Sequence, residues 1–293
     1  MTPVVGVHGI WNHKYFDRAA SVLATAQEEI GKDWARWLAR GVGRRDLRIP
    51  APLSIPVAYY ADCLDRGIPQ DLGDDPELLP PLAQELLVAW VEQLRALRSP
   101  SGNVAPSMVQ GEPTWPVAQA ASWLTRRLGN TSRKVVTAVV TELGTYFDPA
   151  QAHRRQAARD RVAETIRRHR PRVLVAHSLG SVVAYETLCG DPDLRVELLV
   201  TLGSPLGMPS VVFDRLEPAP SYGRGMRPPG APTWTNIADI GDPVAVPPGR
   251  LAEFFDGVDQ HHTVRIRPFD PHTAKSYLGC TEIADTLAPY LYA

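Results

Sequence analysis

The stretch Val173-Leu174-Val175-Ala176-His177-Ser178-Leu179-Gly180-Ser181-Val182-Val183-Ala184-Tyr185 decides how this chain is read. Its first four residues are all apolar, as in a strand buried on both faces. The segment from Leu179 onward has the composition of a helix, and Ser178 sits in the turn between the two. Ala176 and Gly180 flank Ser178 at two residues on either side, so the pattern is G-x-S-x-G with Ala in place of the first Gly. A strained strand-to-helix turn needs small flanking residues, and it lifts a hydroxyl clear of the sheet. The helix that follows points its positive end at the same place. The backbone N–H of Leu179 then faces the point where a substrate carbonyl would develop negative charge.

A nucleophilic serine needs a base, and the base needs an orienting acid; after such a turn the chain order is serine, acid, histidine. Downstream runs Trp234-Thr235-Asn236-Ile237-Ala238-Asp239-Ile240-Gly241-Asp242-Pro243-Val244. Asp242, between Gly and Pro in a sharp loop, is the favoured acid, and Asp239, nearer the strand end, is the alternative. Either also fits a turn or cap. Of the late histidines, His261 and His262 precede an expected strand Thr263 to Ile266, which puts them at the wrong end of a parallel strand. His272, in Asp270-Pro271-His272-Thr273, follows that strand at the carboxyl edge, where open α/β sheets build their sites. It is therefore the expected base. The His261-His262 pair with Asp259 reads as a solvated loop rather than a metal site, and no His, Cys or carboxylate cluster has convincing ligand spacing. At the other end, Val4-Val5-Gly6-Val7-His8-Gly9-Ile10 is a strand ending in His-Gly. Gly9 permits close backbone approach, and the Ile10 N–H is the expected second donor to an oxyanion, with Trp11 as alternative. His8 reads as structural. Asn12 and His13 fit an entrance or a plain loop.

Further candidate strands are Ile55 to Tyr60, Leu198 to Leu202 and Thr235 to Ala238. Alternating with helical patterns, they predict an α/β chain: a mainly parallel sheet of about six strands flanked by helices. Ala19, Val22, Leu23, Ala26, Ile30, Trp34 and Leu38 form the stripe of a first helix. Residues 62–149 do not fit between two sheet strands. Apolar stripes at 86–94, 117–128 and 135–143, punctuated by Pro and Gly around 76–81 and 99–116, read as a helical insertion within one domain spanning 1–293. It would serve as a lid or wall, or simply thicken the core. An arginine-rich helix, Pro149 to Arg170, offers a solvated face or a basic patch. Pro-rich segments lie at 217–232 and 243–248.

The balance of 44% hydrophobic and 22% charged residues is that of an ordinary globular chain. A net charge of -1 gives no overall basic footprint for nucleic acid. No run approaches the roughly 20 apolar residues of a membrane span. Cys63, Cys189 and Cys280 are too sparse for a disulfide framework, and the N-terminus does not resemble a signal peptide, so a cytoplasmic protein with reduced thiols is expected. Lysine occurs only at 14, 32, 134 and 275 amid many arginines, which fits a GC-rich, bacterial coding sequence.

His-Gly after the first strand, Ala-His-Ser-Leu-Gly around Ser178, Thr201-Leu202-Gly203-Ser204-Pro205, the Asp-Pro-Val loop and the late His272 together resemble the α/β-hydrolase superfamily. The form is lipase- and esterase-like, similar to bacterial hydrolases loosely related to GPI inositol-deacylase-like lipases. These motifs span residues 4 to 272; 62–149 matches none of them. The resemblance implies the α/β-hydrolase fold, serine-dependent acyl chemistry on a small acyl substrate and no cofactor. Ala176 departs from the pattern, as does the early His-Gly, which implies a smaller sheet. Ester hydrolysis through an acyl-enzyme on Ser178 is the leading expectation. Acyl transfer, thioester release and peptide cleavage use the same residues, and a non-catalytic binding protein of the same fold is a further alternative.

Overall fold

The computed structural model describes residues 3–45, 53–64, 76–97, 116–245, 247, 249–266 and 272–291. Its strands are β1 (Val4–Val7), β2 (Val57–Ala58), β3 (Val173–His177), β4 (Leu198–Leu202), β5 (Thr233–Asp239) and β6 (Gln260–Val264). Its helices are α1 (His13–Arg18), α2 (Leu23–Gly43), α3 (Ala61–Leu64), α4 (Pro81–Ala96), α5 (Val117–Phe147), α6 (Ala152–His169), α7 (Leu179–Gly190), α8 (Leu251–Phe254), α9 (Ala274–Leu278) and α10 (Thr281–Leu291). The six strands form one sheet, all parallel, in the order β2-β1-β3-β4-β5-β6.

The apolar runs explain the layers. Val5 and Val7 of β1 and Leu174 and Ala176 of β3 pack to one face, with α4, α5, α6 and α7. Val4, Val173 and Val175 pack to the other, with α2, α9 and α10. Successive side chains of a strand alternate faces, so continuous apolar sequence is what a sheet covered on both sides requires. From β1 the chain moves outward to β2, then returns across β1 to β3, and thereafter advances steadily to β6. The loops leaving β1 and β3 therefore diverge and open a crevice at the carboxyl ends between neighbouring strands.

Some expected boundaries move. β2 is shorter than 55–60. The stripe expected as one helix is two, because Ala19 caps α1 and Val22 precedes α2. The last strand lies upstream of Thr263 to Ile266: β6 contains His261 and His262 instead of following them. It is an edge strand whose register pairs Thr235 with Gln260 and Asp239 with Val264. Gln260 and Thr263 are exposed and only Val264 is buried, so the strand pairs through its backbone ladder with little apolar signature in its sequence.

Within 62–149, residues 65–75 and 98–115 lie outside those described. The apolar stripes at 117–128 and 135–143 belong to α5, which is broken at Gly129 (φ 82, ψ 167). Leu86 and Trp90 of α4 and Val139 and Leu143 of α5 join the same buried cluster as Val5 and Leu174. The arginines of α6 are largely occupied. Arg155 meets Glu186 at 2.5 Å, Arg159 meets Glu217 at 2.7 Å and Arg161 meets Asp62 at 3.3 Å, while Arg167 pairs with Asp191. Among the described residues no helix is long and apolar enough to cross a membrane.

Candidate active site

Ser178 adopts φ 55, ψ -130, a strained conformation for a residue with a side chain. The surroundings hold it there. Its N–H donates to Leu202 O at 2.9 Å, and its carbonyl accepts both the Ser181 N–H (2.9 Å) and the Ser181 hydroxyl (2.6 Å). Two glycines make the turn possible. A Cβ on Gly180 would lie 2.2 Å from the His8 carbonyl oxygen, and one on Gly9 would lie 2.6 Å from Ser178 Cβ. The starts of α7 and of the loop after β1 are thus pressed together at the crevice. Ala176, fully buried, is small enough to serve where the pattern has Gly.

Ser178, His272 and Asp242 form one hydrogen-bonded chain. Ser178 Oγ and His272 Nε2 are 2.8 Å apart, and His272 Nδ1 and Asp242 Oδ2 are 2.8 Å apart. A carboxylate accepts only, so Nδ1 carries the ring proton and Nε2 is left to accept from Ser178. Asp242 Oδ1 accepts the Val244 N–H at 2.8 Å, and Tyr277 donates to Oδ2 at 2.7 Å. All of these side chains are buried. His272 precedes α9, whose N-cap Thr273 accepts the Ser276 N–H; the preceding Asp270 and Pro271 lie outside the described residues.

The alternatives occupy other roles. Asp239 accepts the N–H groups of Gly241 and Ile266, closing the turn after β5. His261 pairs through Nδ1 with the Asn236 amide at 3.0 Å on the edge strand. Among the described residues no group of three or more His, Cys, Asp or Glu side chains is arranged to hold a metal ion.

The Leu179 N–H, at the first position of α7, and the Ile10 N–H have no acceptor among the described residues. The Trp11 N–H is taken: it donates to Glu142 Oε1 of α5 at 3.0 Å. Asn12 turns back on the loop, its amide donating to Gly9 O and Ile10 O at 2.8 Å each. His8 stacks on Tyr60 at 4.2 Å. Its Nε2 accepts the Tyr60 N–H, which leaves Nδ1 to donate to Gly9 O. Burial pushes the His8 ring down to about 4, so it is a neutral strut. His177, with its ring 5.0 Å from that of His272, is likewise held neutral by burial. Burial pushes the Glu142 carboxyl up to about 7, against the opposing pull of the Trp11 N–H and of His13.

Beside the site, Trp11, Pro243, His272 and Thr273 face Thr131, Ser132 and Val135 of α5 across a small pocket with a cavity volume of about 20 Å³. The loop carrying Asp242 is fastened to α4, whose Trp90 indole donates to Pro243 O at 2.9 Å. Sequence reasoning missed Tyr277, Glu142 and Trp90 as parts of this site. Only Tyr277, five residues past His272 on a short helix, carried a local hint. No protein-family model matches the chain, and no curated protein is significantly similar to it in sequence.

Proposed function

We propose that the chain is a serine hydrolase of the α/β-hydrolase type that cleaves a carboxylic ester through an acyl-enzyme on Ser178. The observation that carries this reading is the continuous chain Ser178 Oγ–His272–Asp242, with both links at 2.8 Å, at the switch point of a parallel sheet. His272 Nε2 takes the Ser178 proton as Oγ adds to the ester carbonyl. The oxyanion is received by the N–H groups of Leu179 and Ile10. The tetrahedral intermediate collapses as His272 returns its proton to the leaving alcohol. Water, deprotonated by the same ring, then adds to the acyl-enzyme; as this intermediate collapses, His272 returns the proton to Ser178 Oγ, the acyl C–O bond breaks and the acid leaves. Asp242 holds the tautomer and stabilises the transient imidazolium.

A second reading, transfer of the acyl group to an alcohol, amine or carrier thiol, draws on the burial of Ser178, which has no exposed surface. A site closed to water favours transfer over hydrolysis. Both readings predict that a fluorophosphonate probe labels Ser178 alone, and that Ser178→Ala abolishes turnover of esters of graded acyl length and of an acyl thioester. Labelling of a different serine, or full activity in the variant, overturns both. Release of free acid in the presence of competing alcohols and amines separates hydrolysis from transfer.

A further inference from the structure

We propose that Tyr277 is a positioning residue of this site, whose phenol donates to Asp242 Oδ2 and thereby sets how strongly Asp242 holds the His272 proton. The inference rests on the proposed roles of Ser178, His272 and Asp242. The direction of the hydrogen bond is fixed by its surroundings. Tyr277 Oη accepts the Asp239 N–H at 2.9 Å, and a backbone N–H can only donate. The single phenolic proton is thereby free to point to Asp242 Oδ2 at 2.7 Å. That oxygen also faces His272 Nδ1 at 2.8 Å, so one carboxylate oxygen serves two donors. A neutral donor stabilises the buried carboxylate without adding charge, and it weakens the carboxylate's pull on the imidazolium.

The fold is arranged to allow this sharing. The turn that delivers His272 runs directly into α9, which delivers Tyr277. Gly203, of the Gly-Ser-Pro segment after β4, has φ +55; a Cβ there would lie 2.8 Å from the Tyr277 ring and 2.9 Å from Asp242 Oδ2. A glycine is therefore needed for ring and carboxylate to meet. The ionisable groups facing Tyr277 are Asp242, Asp239 and His177. The Asp239 carboxylate is occupied by Gly241 and Ile266, and the ring of His177, 5.8 Å away, is kept neutral by burial. Burial also lifts the phenol's ionisation well above the usual tyrosine range, so it remains a donor throughout the working pH range.

The test perturbs the donor in opposite senses: Tyr277→Phe removes it, and 3-fluorotyrosine at position 277 strengthens it with nearly unchanged shape. The readouts are the acid limb of kcat/KM, the ring titration of His272 by NMR, and the low-field resonance of its Nδ1 proton. In the Phe variant the limb and the His272 midpoint should rise by about half to one pH unit, the worth of roughly one hydrogen bond, with KM unchanged. The fluorinated protein should move both down by about a few tenths of a unit. A Phe variant with lower kcat but an unmoved His272 midpoint overturns the proposal, as does a fluorinated protein identical to the wild type. The second criterion stands even where the Phe variant does not fold. His272 titrations that shift as expected in a protein that neither cleaves esters nor labels at Ser178 would uphold Tyr277's role and reject the proposed function.

Discussion

Glu142→Gln should stabilise the protein above neutral pH and leave it unchanged in acid. The wild-type carboxyl is moved from 4.5 to about 7, first by burial, with the Trp11 N–H and His13 acting in the opposite sense. A carboxyl that titrates higher when folded binds its proton more tightly in the native state. The stability associated with the neutral form is therefore complete at and below pH 4.5 and is lost progressively as pH rises to about 7. At about 1.36 kcal/mol per unit, the full difference is about 3.4 kcal/mol; partial exposure of the residue trims it to roughly 2–3 kcal/mol. Gln keeps an oxygen to accept the Trp11 N–H, so the loop after β1 retains its anchor while the charge is removed. Urea unfolding of both proteins at intervals from pH 4.5 to 8.5 isolates the effect, because every other titration cancels in the difference. The difference should be near zero at the acid end and level off above about pH 7.5. A difference independent of pH, or one that favours the wild type at high pH, would refute the claim that burial dominates at Glu142.

Asp242→Asn should lower kcat by a factor on the order of 10⁴ by loosening the His272 tautomer. Asp239→Asn, which disturbs only the turn to Gly241 and Ile266, should cost about 1–3 kcal/mol of stability with activity per folded molecule nearly intact; steady-state kinetics beside denaturant titration rank the two. Gly180→Ala should destabilise by more than about 3 kcal/mol, because its Cβ would meet the His8 carbonyl oxygen at 2.2 Å, and this would appear as a large drop in Tm.

The parts of this fold legible in sequence are those where local chemistry and tertiary role coincide. Val173–His177 and Leu198–Leu202 are buried on both faces, so their composition alone marks them as strands. The turn at Ser178 announces itself because strain and close approach admit only small neighbours. β6 was displaced because an edge strand can be polar. The pairing of Asp242, rather than Asp239, with His272 was suggested by the Gly-Asp-Pro turn. The nearness of Tyr277 to His272 in sequence hinted at the site but not at its bond to Asp242, and nothing local could link Glu142 to Trp11, since each of these pairings is made by elements far apart in the chain. Trp90 read as a core residue of a helical stripe, and its indole bond to Pro243 is invisible without the packing of α4.

The neighbour relation between β1 and β3 also sets a timetable for biosynthesis. Val4 pairs with Val173. At roughly 5–20 residues per second, the ribosome releases β3 on the order of 10–30 s after β1. Throughout that interval the apolar β1 lacks one of its two neighbours, and the His8–Asn12 loop lacks first Glu142 and then Ser178. A nascent chain stalled anywhere in α4, α5 or α6 thus exposes a strand edge suited to chaperone capture and carries no part of the site in working form. The hydrogen-bonded chain of Ser178, His272 and Asp242 is completed only after His272 has emerged.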